Sequence, residues 1–313
     1  MSAKAHWSEM AEAGAVWGIR LLLACFRLFG RRVFRVFLWP VIVYFFVRRR
    51  AARRASLDFL QRADTFAGRT PKRGLHALWQ SLRHFLTFGD MALDKLAVWQ
   101  NAFEGEVVMH GRQLLLDNIA ARTGAVLLVS HLGNTEVCQS LAEQLGVARV
   151  NVLVHTEHAQ KFNSLLSAKE QAERVNLVPV TAVTPATAMA LEEKLAAGEF
   201  VAIAADRTPV RGSDTARKRE MPAQFLGAEA EFPQGAFVLA ALLRRPVFFL
   251  CAVKTGQRYD IYVEPLAERF KMKRSDRLGS LAGYVQTYAD KLAHYAVRYP
   301  LQWGNFYDFW RRD

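Results

Sequence analysis

His131 and Glu136 stand five positions apart in "SHLGNTE", an imidazole and a carboxylate close enough along the chain for one to hold the other. Five residues of helix turn through roughly 140°, so the two can meet only if the first residues after the histidine are not helical. A carboxylate accepting from Nδ1 fixes the tautomer and leaves Nε2 free to take a proton. Such a base can deprotonate a hydroxyl or an amine, a step typically worth 10²–10⁴-fold. A bare His-x4-Glu pair is more often a capping or core histidine, so its surroundings have to decide. The second constellation is Asp206–Arg207, in "GEFVAIAADRTPV". The planar guanidinium of Arg207 suits a phosphate by charge and fork geometry.

The elements around these residues alternate. Apolar runs predict strands at Val126–Val129, Val150–Val154, Leu177–Val180, Val201–Ala204, Val247–Val253 and Tyr259–Glu264. Helical spacing falls at Thr135–Leu145, Ala159–Ala172, Pro185–Ala197, Gln234–Leu243 and Leu278–Tyr299, and before them between Arg73 and Gln100. The order predicts an α/β fold: a mixed, mostly parallel sheet flanked by helices. Ligands of such sheets bind beyond the carboxyl ends of the strands. His131 and Asp206 fall there, as the first polar groups after "AVLLVS" and "FVAIAA".

Charge divides the chain differently. Residues 1–73 carry fifteen Lys/Arg against four Asp/Glu, which is eleven of the thirteen net positive charges. A basic terminus on a near-neutral body reads as a docking segment rather than a nucleic-acid surface, and no RNA- or DNA-reading motif is present. The segment "AVWGIRLLLACFRLFGRRVFRVFLWPVIVYFFVRRRAARR" holds only twelve consecutive uncharged residues, Val36–Val47. That is short of the ~20 a spanning helix needs. It reads as two amphipathic or partly inserted helices, with Arg48–Arg54 against anionic headgroups and Trp7, Trp17, Trp39 and Tyr44 at the interface. A single span ending near Val47, and plain packing on the body, are the other two readings. The expected organisation is a membrane-associating helical segment over residues 1–72 and a catalytic α/β domain over 73–313.

Cys25, Cys138 and Cys251 form no C-x-x-C pair, so neither a disulfide framework nor a zinc site is implied. His155 and His158, in "HTEH", have metal-like spacing but read as structural or surface residues. No G-x-S-x-G elbow supports a serine hydrolase.

"SHLGNTE" resembles the His-x4-Asp/Glu signature of the lysophospholipid acyltransferase superfamily, and most of all its bacterial lipid A biosynthesis (late) acyltransferase branch. The Asp-Arg block, "MPAQFLGAEAEFPQGAFVLAALLRRPVFFLCAV", the closing "LQWGNFYDFWRR" and the basic hydrophobic N-terminus are similar to that branch in order and spacing. The resemblance implies transfer of a fatty acyl group from an acyl carrier protein or coenzyme A thioester to a hydroxyl or amine. The acceptor would be a membrane lipid or glycolipid, in lipid A-type late acylation or a related polyketide-lipid pathway. It implies no metal or other cofactor, and a place on the cytoplasmic face of a bacterial inner membrane. By position His131 would be the general base and Glu136 its orienting partner. Asp206 and Arg207 would belong to the acceptor or thioester pocket, with Asn134 holding the loop. Phe225, Leu226, Gly227, Pro233 and Gly235 would shape a turn facing the histidine. Arg174 and Lys161 would reach a phosphate of donor or acceptor. The alternative is a non-catalytic peripheral membrane protein that binds anionic lipid through its basic N-terminus.

Overall fold

A computed structural model of the chain describes residues 33–99, 105–134, 149–154, 175–179, 185–207 and 220–310. The centre is a seven-stranded sheet of β1 (Val107–His110), β2 (Ala125–Gly133), β3 (Val150–Val154), β4 (Val175–Pro179), β5 (Phe200–Ala204), β8 (Val247–Thr255) and β9 (Arg258–Ala267). Their spatial order is β1-β9-β8-β2-β5-β3-β4. Four of the pairings form a continuous parallel run from β8 to β4; β8 meets β9 antiparallel, and β1 lies parallel to β9. The fold is therefore α/β with a mixed, mostly parallel sheet, as the alternation of elements predicts.

β2 sits mid-sheet because its first six residues are apolar or small and all buried. A strand covered on both faces carries such a run rather than strict alternation. Its side chains still divide by parity. Val126 and Leu128 join a large core with Val201, Phe249, Cys251 and Val253, while Leu127 and Val129 join a smaller one with Phe200, Ala202, Leu250 and Ile261. The large core is closed by α2 (Arg50–Phe66), α6 (Gln234–Leu243) and α7 (Arg277–Arg298); the smaller lies under α4 (Arg112–Ala120) through Leu115. Phe59, Leu60 and Ala63 of α2 are deep in the large core, so packing runs without a break from the basic segment into the body.

Elements not anticipated include β1, α4, and a separate hairpin of β6 (Glu220–Phe225) and β7 (Ala228–Pro233). The hairpin turns on Leu226 and Gly227, both left-handed at φ 51° and 80°. Two central residues with positive φ match the right-handed twist of the flanking strands. α5 (Pro185–Ala196) and α6 begin where the sequence places them. The expected helices at Thr135–Leu145 and Ala159–Ala172 lie outside the described residues.

Residues 33–48 form a helix, α1, laid against α3 (Gly74–Trp99). Phe34 and Leu38 cluster with Leu93 and Ala97, Ile42 rests on Gly89, and the Phe46 and Phe85 rings meet edge to face 5.3 Å apart. The contacts recur every four residues, which is one face of a helix. The other face leaves Val36, Phe37, Val41, Tyr44 and Val47 exposed. Among the described residues no helix is long and apolar enough to cross a membrane.

Candidate active site

The end of β2 carries the site, and a bulge presents it. Val129 pairs with Leu250 of β8 and Gly133 with Ala252, so four steps along β2 match two along β8. The intervening residues leave the ladder, and bulges of this kind re-aim side chains. His131 is in the middle. Gly133 closes the bulge at φ 76°, where an added Cβ would lie 1.8 Å from the Ala252 carbonyl oxygen. Only glycine fits.

A bulge frees backbone groups that need other partners. The His131 N–H donates to Asp206 Oδ2 at 2.8 Å, and the His131 carbonyl accepts from the Gly304 N–H at 2.9 Å. Leu132 makes an antiparallel bridge with Trp303. The C-terminal segment thus serves as a short extra strand beside the histidine. From below, Tyr288 of α7 donates its hydroxyl to the Val129 carbonyl at 2.9 Å. Burial, with the nearby Asp206 charge, holds that phenol well above its ordinary range and therefore neutral.

Asp206 follows β5, and β5 is hydrogen-bonded to β2 in the register Val129↔Ala204, which sets the two side chains beside each other. Asp206 Oδ1 accepts from His131 Nδ1 at 2.7 Å, while Oδ2 accepts from the His131 N–H and from Trp303 Nε1 at 3.1 Å. The carboxyl is fully buried; the imidazole is 40% exposed. Burial by itself would push the Asp206 pKa up, but the charge and hydrogen bonds of His131 and the charge of Arg207 bring it below the ordinary value. An ionised acceptor on Nδ1 fixes the proton there. Nε2 has no hydrogen-bond partner among the described residues, on a ring that is partly exposed.

Behind this pair lies a buried chain of polar groups. His84 of α3 bonds the Trp303 carbonyl through Nε2 at 2.8 Å and Ser56 Oγ through Nδ1 at 3.0 Å; Ser56 in turn meets Ser81 at 2.8 Å. A carbonyl only accepts, so Nε2 carries the proton, Nδ1 accepts from Ser56, and Ser56 accepts from Ser81. Burial lowers the His84 pKa to about 4, against a smaller upward pull from the Trp303 carbonyl. The ring is a neutral strut. Trp303, packed edge-on to Phe59, Phe225 and Phe309, is the link between that strut and Asp206.

The positions named from sequence divide into three groups. His131, Asp206 and Arg207 come together. Asp206 does not line a pocket as expected: it occupies Nδ1, the place expected for Glu136. Glu136 itself lies outside the described residues, as do Thr135, Arg174, Lys161, His155 and His158. Arg207 donates through Nη2 to the Gly304 carbonyl and its guanidinium lies 5.7 Å from the Tyr307 ring, which commits it to the C-terminal segment. Asn134 is buried, with its N–H on the Ala252 carbonyl at 2.7 Å and Nδ2 toward the Met91 carbonyl at 3.5 Å. That ties the loop to α3. Phe225 meets Trp303 edge to face, and its carbonyl accepts from Trp310 Nε1 at 3.1 Å. Gly227 lies in the hairpin turn near Phe66, and Gly235 lies in the first turn of α6 with open space where a Cβ would be.

Motif reading missed Trp303, His84, Tyr288 and Asn305. The available signal was the density of aromatic residues around "QWGNF". Asn305 is 1% exposed, and neither its Oδ1 nor its Nδ2 has a partner; the Nε of Arg207 is likewise buried and unpaired. Unsatisfied buried polar groups cost about 1–3 kcal/mol each, and these two residues directly follow Asp206 and Gly304, the partners of His131.

Compared with models of known protein families and with curated proteins, the chain matches none.

Proposed function

We propose that the protein is an acyltransferase that moves a fatty acyl group from an acyl thioester to a hydroxyl or amine of a membrane lipid or glycolipid. The observation that carries this reading is the His131–Asp206 pair: Nδ1 held at 2.7 Å by a buried, ionised carboxylate, and Nε2 open on a partly exposed ring beyond the ends of parallel strands. That is the arrangement of a general base. The acceptor proton passes to Nε2, the freed oxygen or nitrogen attacks the thioester carbonyl, and the carbon–sulfur bond breaks as the tetrahedral intermediate collapses. The imidazolium then returns its proton to the departing thiolate. Asp206 stabilises the imidazolium while it lasts. The unpaired groups of Asn305 and Arg207 would serve as donors toward the thioester oxygen or the acceptor.

The resemblance of "SHLGNTE" and the later blocks to the lipid A late acyltransferase branch supports the same chemistry, with acyl carrier protein or coenzyme A as the donor's carrier. The exposed apolar face of α1 and the exposed arginines Arg48, Arg49 and Arg50 after it support work at an anionic membrane surface. In a bacterium that would be the cytoplasmic face of the inner membrane.

The test is to incubate the purified chain with labelled acyl carrier protein and, separately, acyl-coenzyme A, in the presence of a total membrane lipid extract. Mass spectrometry then identifies any acylated lipid. A product formed by the wild type and abolished in a folded His131→Ala variant is the expected result. Product formation by that variant at a rate near wild type would sink the reading.

A further inference from the structure

Away from His131, three cations converge on one cleft. It is an open depression of about 320 Å³ between the end of α2, the first half of α3 and the end of α7, lined on its polar side by Asp64, Arg69, Lys72, Gln80, Arg83 and Arg298. Asp64 is already used: it is buried and accepts from Arg69 Nε at 2.9 Å, so that pair is neutral. The side chains of Lys72 and Arg83 form no ion pair or hydrogen bond among the described residues. Arg298 bonds no carboxylate among the described residues, and its guanidinium lies 5.7 Å from the Tyr299 ring. The cleft therefore holds three uncompensated positive charges. Like charges gathered without a counter-charge repel one another, and an anion seated among them relieves the repulsion. Arginine forks and a lysine point charge are the side chains that hold phosphate oxygens.

The rim indicates where such a phosphate would come from. Trp79 precedes Arg83 by one helical turn and Leu75 precedes Trp79 by another, so the three share a face of α3. Leu75 is 81% exposed and Trp79 59%. An aliphatic, an indole and a guanidinium in a row suit the boundary between acyl chains and headgroups.

We propose that this cleft binds the phosphate of an anionic membrane-lipid headgroup, with Leu75 and Trp79 entering the interface beside it. The site is separate from the His131–Asp206 pair and does not depend on acyl transfer.

The test uses the full chain and needs no acyl donor. Flotation compares phosphatidylcholine vesicles doped with phosphatidylglycerol against vesicles brought to the same surface charge with oleate, which carries no phosphate. Titration calorimetry with inorganic phosphate provides the soluble arm. The wild type should prefer the phosphatidylglycerol vesicles, and Arg83→Gln/Arg298→Gln should lose that preference, by roughly fivefold per cation removed. Both positions are exposed, so an unchanged melting temperature should confirm that the variant folds; Lys72→Gln, which precedes α3, gives the same readout with less risk to the helix. Leu75→Ser/Trp79→Ser should weaken vesicle binding while leaving the phosphate titration intact. Equal binding of both vesicle types by the wild type, or an unchanged preference in the Arg83/Arg298 variant, overturns the proposal. Loss of inorganic phosphate binding in that variant with no change at vesicles overturns the lipid source and makes the ligand a soluble phosphate.

Discussion

Asp206 is placed to do two things for His131: it accepts from Nδ1, and it accepts from the backbone N–H of the same residue. The first sets the tautomer and the second sets the position of the bulge. Replacing Asp206 with Asn keeps the shape but lets the amide donate to Nδ1, which favours the tautomer with no free acceptor at Nε2. Turnover in Asp206→Asn should therefore fall roughly 10²–10⁴-fold, with the loss in kcat rather than KM. Steady-state kinetics on an identified acceptor measure this, and a variant close to wild type in kcat would remove Asp206 from the mechanism. Trp303→Phe tests the next shell. It deletes one of three donors to the carboxylate while preserving most of the ring packing, so it should cost about 1–3 kcal/mol of stability by chemical denaturation and a smaller factor in kcat than Asp206→Asn. His131 and Asp206 were both legible as polar groups ending strands, but not their direct bond. Seventy-five residues separate them, and only the β2–β5 register makes them neighbours.

At the scale of elements, the bulge in β2 and the strut from α3 hold the pair in place. Gly133→Ala would bring a methyl group into the Ala252 carbonyl at a backbone angle that alanine resists. The expected cost is about 3 kcal/mol or more, read as a large fall in the denaturation midpoint or a failure to fold. The strut has a pH signature. The folded state keeps His84 neutral down to about pH 4, whereas the unfolded chain binds a proton near 6.5. Protons therefore favour the unfolded state across that window: stability is complete above pH 6.5 and falls as pH drops toward 4, by roughly 3 kcal/mol. Denaturation of the wild type and of His84→Gln at pH 7 and pH 4.5 should show a smaller acid loss in the variant. An equal loss in both would assign the acid sensitivity to other groups. None of this strut could be read from spacing, because Ser56, His84 and Trp303 come from three distant segments, and isolated serines and histidines are too common to signal a network.

For the whole molecule, the helices over residues 33–66 and the α/β body are joined by shared packing. α1 uses one face on α3 and α2 contributes to the main core, so the outer face of α1 is presented in a fixed orientation rather than on a loose tether. Phe37 and Tyr44, seven residues apart, share that outer face and are 70% and 58% exposed. Phe37→Ser/Tyr44→Ser should lower vesicle partitioning by roughly tenfold or more per ring removed and leave the melting temperature unchanged. Partitioning equal to wild type would return α1 to the role of a plain surface helix.

The amino-acid sequence by itself determined the fold class, because alternating apolar runs and helical spacing have no other compact arrangement that covers both faces of each strand. It also marked His131 and Asp206 as the first polar groups near the carboxyl ends of β2 and β5, since a polar group after a buried run marks where the chain leaves the core, although β2 itself runs on past His131 to Gly133. Only the tertiary structure decided which carboxylate, of those described, meets the imidazole. It also decided which groups stand behind that carboxylate and which cations gather without partners. Those are matters of register and of helices crossing in space, where two side chains become neighbours through backbone hydrogen bonds and packing that local spacing does not encode.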